Sequence, residues 1–463
     1  MKIKIWAILL LSYGLFTAAQ AFTAKELAQR SFERRAVEAA IWGMPLVNFA
    51  AMRQAYFHDA QAQYNDVLYF SKPANWKFQT TTPNNSTNYV LFFVNVKNGP
   101  VVIELPPVEE AALFGSITDS WNIPLVDVGN AGQDKGKGGK YLLLPPDYKA
   151  EIPAGYIPVY SSTYNLYSLM RLIPKTQRPE DLTKAITYLQ KLKIHPLAKD
   201  TLPHFIDMAD KSFAGITAYD VRFYTLLAQM VAEEPVDEHD VAIMGQLITL
   251  GIGKNRMFNP DAAAQKMLEH SLQEAHEFMI AGFKATGALW WPERKWRFPA
   301  NKEVMQSKLT FVHDERLLLD ERAYTFFAAS AAPLNPSANL YLKVFEDKDG
   351  DALTGSQVYK LHLPANVPST QFWSLVAYDV ETAGFIRQAT VVGIDSYNQH
   401  LKKNSDGSID IFLAATPPKG HETNWISTSL GQPFFLFFRN YAPEQSVLER
   451  TSLWVLGDVE KIK

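Results

Sequence analysis

Two patterns of apolar and polar positions follow each other along the chain, and each predicts a different secondary structure. Between about residues 24 and 56, apolar side chains such as Leu27, Ala36 and Met44 recur at the spacing of an amphipathic helix. From residue 89 onward the apolar runs become short and rich in β-branched and aromatic residues, which is typical of strands. We therefore predict a helix followed by strands at 89–94, 101–105, 141–144 and 157–160.

The turn residues Asn98, Gly99 and Pro100 separate the first two of these apolar runs. Glycine and proline between two short strand-like runs favour a tight reversal of the chain. The sequence therefore predicts a β-hairpin that joins the strand at 89–94 to the strand at 101–105.

Helical spacing returns between Pro179 and Gly287, and its strongest segment begins at Asn259 and Pro260. Asparagine is a good helix N-cap and proline is favoured at the first helical position, so this pair predicts a helix start. From Arg322 onward the pattern is that of strands again, predicted at 340–345, 358–363, 372–378, 409–413 and 434–438. Their spacing is that of a β-sandwich.

These patterns predict an α+β fold that is mainly β, with an N-terminal helix and a helical segment between two sandwich-like β domains. The predicted boundaries are a signal peptide at 1–21, a helix plus β domain at 22–175, a mainly helical connecting segment at 176–320 and a C-terminal β-sandwich at 321–463.

The first residues of the chain have the features of a cleavable secretory signal. Lys2 and Lys4 precede an apolar run over residues 5–16, and Ala19-Gln20-Ala21 provides small residues at a cleavage site. The run is shorter than the roughly 20 apolar residues of a membrane-spanning helix. We expect a periplasmic or secreted protein with no membrane segment after cleavage.

Composition narrows the chemistry of the exported part. The chain has no cysteine, which excludes disulfides, thiol catalysis and thiolate metal sites. Its 45 basic and 48 acidic residues are interspersed, whereas nucleic-acid binding requires a concentrated positive surface. No nucleic-acid partner is therefore expected.

Short motifs give no metal or cofactor prediction. His270 and Glu274 are four residues apart on a predicted helix, and we interpret them as part of a solvated polar face. The segment from Asp347 to Asp351 begins like a calcium loop, but Val358 replaces the closing glutamate, so an Asp-Gly turn is favoured. The glycine-rich segment 132–139 leads into a strand and is interpreted as an exposed loop. No serine-hydrolase elbow is present.

Charged residues beside apolar strands are the remaining candidates for function. Arg439 directly follows the apolar run 434–438, and Arg322 precedes the aromatic run 324–327. A charge in such a place must be paired or must face a cavity. Either these arginines form structural pairs, or they hold a polar group of a ligand on which Trp373, Trp425 or Tyr341 stacks. Carbohydrates and small organic acids suit such pockets.

The order of several short strings resembles the exported two-domain proteins in which domain of unknown function 1254 is followed by domain of unknown function 1214. The strings are Thr81-Thr82-Pro83-Asn84-Asn85-Ser86-Thr87-Asn88-Tyr89, Asp119-Ser120-Trp121-Asn122, Asn339-Leu340-Tyr341, Phe372-Trp373-Ser374-Leu375, Tyr378-Asp379, Asn424-Trp425 and Arg439-Asn440-Tyr441-Ala442-Pro443. This resemblance implies two jelly-roll-like domains with helices between them, often assembled as homo-oligomers. It implies no settled reaction.

Three functions are compatible with these observations. The first is binding of a small polar or carbohydrate-like ligand in a β-domain pocket, the second is a hydrolase or lyase acting in the same pocket, and the third is a structural or surface-interaction protein. Asp119 and Asp379 are the candidates for acid/base catalysis. The candidates for ligand binding are Asn84, Trp121, Arg322, Tyr341, Trp373, Trp425 and Arg439.

Overall fold

The computed structural model describes residues 21–130, 132–176, 178–331, 334 and 339–462. The predicted signal peptide lies outside the described residues, except for Ala21. Within the described ranges, no helix combines the length and apolar character needed to cross a membrane. The helices are α1 Ala24–His58, α2 Pro179–Leu189, α3 Arg222–Glu233, α4 Val241–Leu247, α5 Ala262–Ala285, α6 Lys302–Gln306, α7 Leu319–Ala328 and α8 Gln445–Leu448.

Two sheets form the N-terminal sandwich. The first has the order β11-β1-β3-β9-β5-β6 and the second the order β10-β4-β7-β8. The strands are β1 Val67–Tyr69, β2 Phe78–Gln79, β3 Asn88–Asn95, β4 Val101–Leu105, β5 Ala111–Asp119, β6 Pro124–Val128, β7 Gly139–Leu144, β8 Tyr156–Tyr160, β9 Asn165–Pro174, β10 Lys193–Pro196, β11 Phe205–Asp207 and β12 Phe213–Ala214, of which β2 and β12 form a separate pair.

Alternation along β3 gives its two faces different partners. Val90 and Phe92 point into the sandwich interior, whereas Tyr89, Leu91 and Phe93 belong to a second core on the outer face. Helix α1 covers part of that outer face. The first sheet is therefore buried on both sides, which explains why β3 is apolar at almost every position.

The predicted hairpin at residues 98–100 is wrong. A turn does occur there, but β3 pairs with β1 and β9, while β4 pairs with β7 and β10 in the other sheet. The turn therefore carries the chain from one sheet to the other. Because both strands are apolar on both faces, the local sequence marks the reversal but not the pairing partner.

Helices α1, α3, α5 and α7 pack together beside the sandwich. Helix α1 begins with a capping box in which Thr23 and Glu26 bond each other's backbone N–H groups. Helix α5 is capped by Asp261, whose side chain accepts a hydrogen bond from the backbone N–H of Ala264 at 2.8 Å. The predicted start at Asn259 and Pro260 is thus two residues early.

Two further sheets form the C-terminal sandwich, with the orders β15-β21-β17-β18 and β20-β19-β16-β22. A two-stranded β13-β14 sheet precedes them. The strands are β13 Val312–His313, β14 Arg316–Leu317, β15 Asn339–Val344, β16 Tyr359–Leu363, β17 Ser369–Asp379, β18 Gly393–Asp395, β19 Ile409–Ala414, β20 Trp425–Ser427, β21 Phe434–Pro443 and β22 Val459–Lys461. The α+β fold class and the N-terminal helix are confirmed.

The central strand β21 separates two environments. Phe438 stacks on Trp373 and Trp454 on the side of the sandwich interior. On the opposite side, Phe435 and Phe437 contact Phe283 of helix α5. This second face of the sheet looks toward the helices and the N-terminal sandwich, so the two β domains meet across it.

Candidate functional site

The outer face of the N-terminal sheet presents one arginine among aromatic residues. Tyr89 of β3, Arg171 of β9 and Phe114 of β5 lie side by side in the register of these strands. The Arg171 guanidinium carbon is 5.8 Å from the centre of the Phe114 ring. Because residues directly opposite in a sheet share a face, all three side chains point toward the C-terminal domain.

The facing surface of the C-terminal sheet repeats this arrangement. Tyr341 of β15, Arg439 of β21 and Ser374 of β17 are neighbours in register. The next row on the same face contains Tyr441 and Phe372, whose rings stack with centres 4.1 Å apart. An arginine surrounded by aromatic residues thus comes from each domain.

The loop 81–87 lies between these two rows and binds both. The backbone N–H of Asn84 donates to the Tyr89 hydroxyl at 2.8 Å, and its side-chain Nδ2 donates to the Tyr441 hydroxyl at 2.9 Å. The carbonyl oxygen of Thr82 accepts a bond from Arg439 at 2.8 Å. We call the set Asn84, Tyr89, Arg171, Tyr341, Arg439 and Tyr441 the junction site.

Arg439 is held firmly but has no counter-charge. It is 3% exposed and donates from Nη1 to the Tyr378 hydroxyl at 2.7 Å, while Nη2 bonds the carbonyl of Thr82. Its guanidinium carbon lies 5.2 Å from the Tyr341 ring centre and 4.9 Å from that of Phe437. Among the described residues, no carboxylate lies within the 4.0 Å of an ion pair.

Arg171 is held less firmly. The residue is partly exposed, but its Nε is shielded from solvent and has no hydrogen-bond partner among the described residues. Burial acts to lower the pKa of Arg171, but the hydroxyls of Tyr341 and Tyr441 offset it, so its pKa lies above the ordinary value. The group is therefore charged, and no described carboxylate pairs with it.

Other polar atoms at the junction are also unsatisfied by the described protein atoms. The Ser374 hydroxyl and the Asn85 side-chain oxygen are buried without a hydrogen-bond partner in the described ranges. Ser374 is next to Arg439 in register, and Asn85 binds the carbonyl of Gly393 through its other side-chain atom. Buried polar groups are normally hydrogen-bonded, so the site offers contacts to a bound polar molecule.

Asp395 is a carboxylate that reaches the edge of the junction site. It accepts a hydrogen bond from the Ser86 hydroxyl at 2.6 Å and one from the backbone N–H of Tyr397 at 2.9 Å. Burial raises the pKa of Asp395 above its ordinary value. Its interactions are with the loop and the backbone rather than with either arginine.

Asp119, Trp121 and Arg322 come together in a separate buried cluster. The Arg322 guanidinium carbon is 4.6 Å from the Trp121 ring centre, and Nη2 donates to the carbonyl of Trp42 at 3.1 Å. Trp42 packs edge-on against Trp121 and donates its Nε1 to Asp240 at 2.8 Å. Desolvation lowers the pKa of Arg322 to about 10, and the charges of Asp240 and Asp119 act in the opposite direction.

Asp119 is part of a turn within this cluster. Its Oδ1 accepts the backbone N–H groups of Trp121 and Ile123, both at 2.9 Å. Burial raises the pKa of Asp119 to about 7. Asp240 and Asp119 thus act electrostatically on Arg322, although its Nε is also buried without a hydrogen-bond partner in the described ranges.

Three other candidates from the sequence lie apart from both groups. Trp373 points into the C-terminal sandwich, on the face opposite Arg439. Trp425 belongs to the second C-terminal sheet and donates its Nε1 to the carbonyl of Ala414 at 2.8 Å. Asp379 ends β17 as predicted, but its Oδ1 accepts two bonds from Thr382, each 2.9 Å, and stabilises the following turn. The structure therefore brings only Asn84, Tyr341 and Arg439 to the junction.

The sequence analysis missed Arg171. Its signal was the same as that of Arg439, because it is a single charge between the apolar residues Met170 and Leu172 of a strand. Tyr89 and Tyr441 were present in the recognised strings but were not named as site residues. Their importance depends on the pairing of β3 with β9 and on the contact between the two domains.

The other motifs have local structural roles. Asp347 is fully buried and its Oδ1 accepts the backbone N–H groups of Asp349 and Asp351, each at 3.0 Å, as in an Asp-Gly turn. Asp134 anchors the glycine-rich loop by bonding the backbone N–H of Gly129 and the hydroxyl of Tyr141, both at 2.7 Å. Within the described ranges, no three His, Asp or Glu residues are grouped to hold a metal.

An open groove of about 540 Å³ lies on the outer face of the C-terminal sandwich. Several of its charged residues are paired with each other. His362 is 2.8 Å from Asp410, and Lys348 is 3.6 Å from Glu460. The residues that line this groove include no Phe, Tyr or Trp, so we regard it as a weaker ligand site than the junction.

Comparisons with known proteins agree with the two-domain architecture. A family model described as "Protein of unknown function (DUF1254)" matches residues 64–196, and one described as "Protein of unknown function (DUF1214)" matches residues 338–445. The first match covers most of the N-terminal sandwich, and the second covers most strands of the C-terminal sandwich. No curated protein matches the chain significantly.

Two crystal structures are similar to the chain. The VPA0106 protein from Vibrio parahaemolyticus has a TM-score of 0.54 and 16% identity, over 93% of this chain and 100% of that chain. An uncharacterised protein from Burkholderia cenocepacia has a TM-score of 0.42 and 12% identity, over 94% of this chain and 95% of that chain. The first similarity shows a shared fold, and neither identifies an activity.

Proposed function

Because the chain belongs to the proteins in which domain of unknown function 1254 is followed by domain of unknown function 1214, we propose a function from the junction site alone. The protein binds a small anionic organic molecule, an organic acid, between its two β domains. The observation that carries this proposal is the pair Arg171 and Arg439, one partly exposed and one buried, neither of which has a carboxylate partner among the described residues.

The cost of burying charge supports an anionic ligand. An ion removed from water loses several kcal/mol of hydration unless an opposite charge or hydrogen bonds replace it. Arg439 donates two hydrogen bonds to neutral oxygens, and the Nε of Arg171 has no hydrogen-bond partner among the described residues. A carboxylate would supply the missing charge and could accept parallel bonds from a guanidinium fork.

The aromatic residues favour an organic acid over a simple inorganic ion. Tyr341 and Tyr441 place ring faces and hydroxyls beside the arginines, and the two hydroxyl oxygens are 3.4 Å apart. Burial raises the pKa of Tyr341, so its hydroxyl stays protonated and can donate a hydrogen bond. Apolar walls with a few oriented polar groups are typical of small-molecule sites.

Solvent can reach the site from one side. Arg171, Tyr341 and Asn85 are each partly exposed, whereas Arg439, Asn84 and Tyr441 are buried. Arg171 is therefore the more accessible of the two arginines, and Arg439 is the more deeply buried.

We also propose that the protein acts outside the cytoplasm. Lys2, Lys4, the apolar run 5–16 and Ala19-Gln20-Ala21 support this localisation as a secretory signal. The N-terminal sequence of the protein purified from culture tests cleavage after Ala21.

A thermal-shift screen tests the binding function. The mature chain, residues 22–463, is heated with organic acids, neutral sugars and divalent metal salts at constant ionic strength. We expect organic acids to raise the melting temperature and the variant Arg171→Gln to lose this increase. The control Arg316→Gln removes an exposed arginine paired with Glu303 and keeps the increase. Stabilisation by neutral sugars alone would instead support a carbohydrate-binding protein, and no stabilisation by any acid would refute the proposal.

A further inference from the structure

We infer that the ligand of the junction site is a dicarboxylate, with one carboxylate bound by Arg171 and the other by Arg439; this inference rests on the proposed function. The two arginines come from different domains, β9 of the N-terminal sheet and β21 of the C-terminal sheet. Tyr341 and Tyr441 act electrostatically on both arginines. Because the arginines come from different domains, we assign each of them to a separate end of the ligand.

The two guanidinium groups are close enough to share neighbours. Tyr341, Tyr441 and Tyr89 each act electrostatically on both Arg171 and Arg439. Two positive charges in one enclosed site repel each other, and water screens this repulsion only weakly there. A monoanion would neutralise one of them and leave the other uncompensated, whereas a dianion neutralises both.

A third basic residue on the same sheet face does not change this charge count. Lys343 is two positions from Tyr341 on β15 and is fully buried. Burial and the nearby Arg297 lower the pKa of Lys343 well below its ordinary value, and its amine donates to the carbonyl of Phe283. Lys343 is thus occupied at the end of helix α5, and the junction retains two charges to match.

The fixed position of Arg439 favours two separate acidic groups over one phosphate. Arg439 is bound to Tyr378 and to the backbone of Thr82, so it cannot swing toward Arg171 without losing both bonds. Next to the arginines, the hydroxyls of Tyr341 and Tyr441 are 3.4 Å apart and the amide of Asn84 donates to the Tyr441 hydroxyl. These groups suit a short carbon chain between the two carboxylates of the ligand, and they could bind a hydroxyl on that chain.

The test compares matched ligand pairs on the unmodified mature protein. Calorimetric titration measures binding of malonate, succinate, glutarate and adipate, of the monoamide of each acid, and of inorganic phosphate. We expect at least one diacid to bind tenfold or more tightly than its own monoamide, with the preference decreasing as salt is added. Because this comparison needs no variant, it does not depend on whether a substituted protein folds.

Variants then assign the two ends. Arg171→Gln and Arg439→Gln are each expected to bind a diacid and its monoamide equally well, and Arg171→Lys is expected to keep part of the preference. Arg316→Gln serves as the control with unchanged binding. A change in melting temperature without ligand identifies any variant that is simply less stable.

The possible outcomes separate this inference from the proposed function. If monoamides or monocarboxylates bind as tightly as diacids, the dicarboxylate inference is wrong and organic-acid binding stands. Tighter binding of phosphate than of any diacid would also overturn the inference, because one compact dianion would then bridge both arginines. If none of these anions binds, both the inference and the proposed function fail.

Discussion

Arg171 and Arg53 are both arginines in contact with the interior, and they differ in what balances their charge. Arg53 is 4% exposed and binds both oxygens of Glu233, at 2.6 and 3.1 Å. Arg171 has no carboxylate within ion-pair distance among the described residues and has an unpaired Nε. The first arrangement is that of a structural ion pair, whereas the second is that of a binding group.

This difference predicts opposite effects of the same substitution. Arg171→Met removes an uncompensated charge and keeps a flexible apolar side chain beside Phe114, so we expect the free energy of unfolding without ligand to stay equal or to rise by ~1–3 kcal/mol. Arg53→Met leaves Glu233 without its partner and should lower the free energy of unfolding by ~3 kcal/mol. Urea unfolding measures both. Equal losses for the two variants would mean that Arg171 is a structural residue.

Asp119 predicts a pH dependence of stability. Its pKa of about 7 in the folded protein lies above its ordinary value of 3.8, so between these pH values the folded state holds a proton that the unfolded state has released. Stability therefore falls as pH rises through this window, by at most ~4 kcal/mol from this group. Asn can still accept both backbone bonds through its Oδ1, so Asp119→Asn should remove this loss.

Chemical unfolding at pH 5 and pH 8 checks the effect of Asp119. The variant should gain stability over wild type at both pH values, by ~2–3 kcal/mol more at pH 8 than at pH 5, because only part of the loss has occurred at pH 5. Asp406→Asn is the control for removing a carboxylate, because hydrogen bonds from Ser408 lower the pKa of Asp406, so no gain at pH 8 is expected there. A difference between variant and wild type that is the same at both pH values would contradict a raised pKa of Asp119.

Individual residues show what the sequence could and could not predict about the site. Arg439 was found because it follows a run of five apolar residues, and a charge in that place needs an explanation. Trp373 lies on the sheet face opposite to Arg439. The alternation of apolar and polar residues did not predict which of the two faces contacts the other domain. The burial pattern is encoded locally, but the choice of partner surface depends on contacts between distant segments.

At the scale of elements, Lys343 connects strand β15 to the end of helix α5. Its amine donates to the carbonyl of Phe283, in the last turn of that helix, where carbonyl groups have no partner within the helix. Burial lowers the pKa of Lys343 well below its ordinary value of 10.5, so between the folded and the ordinary pKa the unfolded chain binds a proton that the folded state has released. Stability therefore rises with pH up to the ordinary lysine pKa of 10.5.

Lys343→Met should abolish this rise. Urea unfolding of wild type between pH 7.5 and 9.5 is expected to show increasing stability, while the variant should show a flatter dependence over the same range. Lys191→Met is the control, because Lys191 is exposed and pairs with Glu109 on the surface. An unchanged slope in Lys343→Met would show that this amine is not the group responsible.

The elements themselves were largely predictable, and their pairing was not. The strands near residues 89–94, 101–105 and 434–438 occur where alternation and turn residues place them. The turn at Gly99 was recognised from composition, but the hairpin was wrong because β3 finds β9 and β1 instead. A turn depends on a few adjacent residues, whereas strand pairing depends on segments that are distant in the chain, such as Val67 and Phe205 in the β1–β11 pair.

At the scale of the whole molecule, one apolar core passes through both β domains. It contains Leu91 on the outer face of the N-terminal sheet, Ala36 and Phe49 of helix α1, and Phe435 on the central C-terminal strand. A second core lies inside the N-terminal sandwich alone. Separating the domains would expose the larger core, so we expect the chain to unfold as one cooperative unit despite its two family-level domains.

Leu91→Ala tests this cooperativity because Leu91 is fully buried in the larger core, which also contains Phe435 of β21. This truncation should lower the free energy of unfolding by ~2–5 kcal/mol. In a single cooperative unit, the amide groups of β21 become less protected to the same extent as those of β3. Native-state hydrogen exchange should therefore show an equal decrease in protection in both strands. Leu453→Ala, at a side chain 98% exposed, should change neither. If β3 lost protection while β21 kept it, the domains would unfold separately. A ligand bound by both Arg171 and Arg439 would then link two domains that the shared core does not couple.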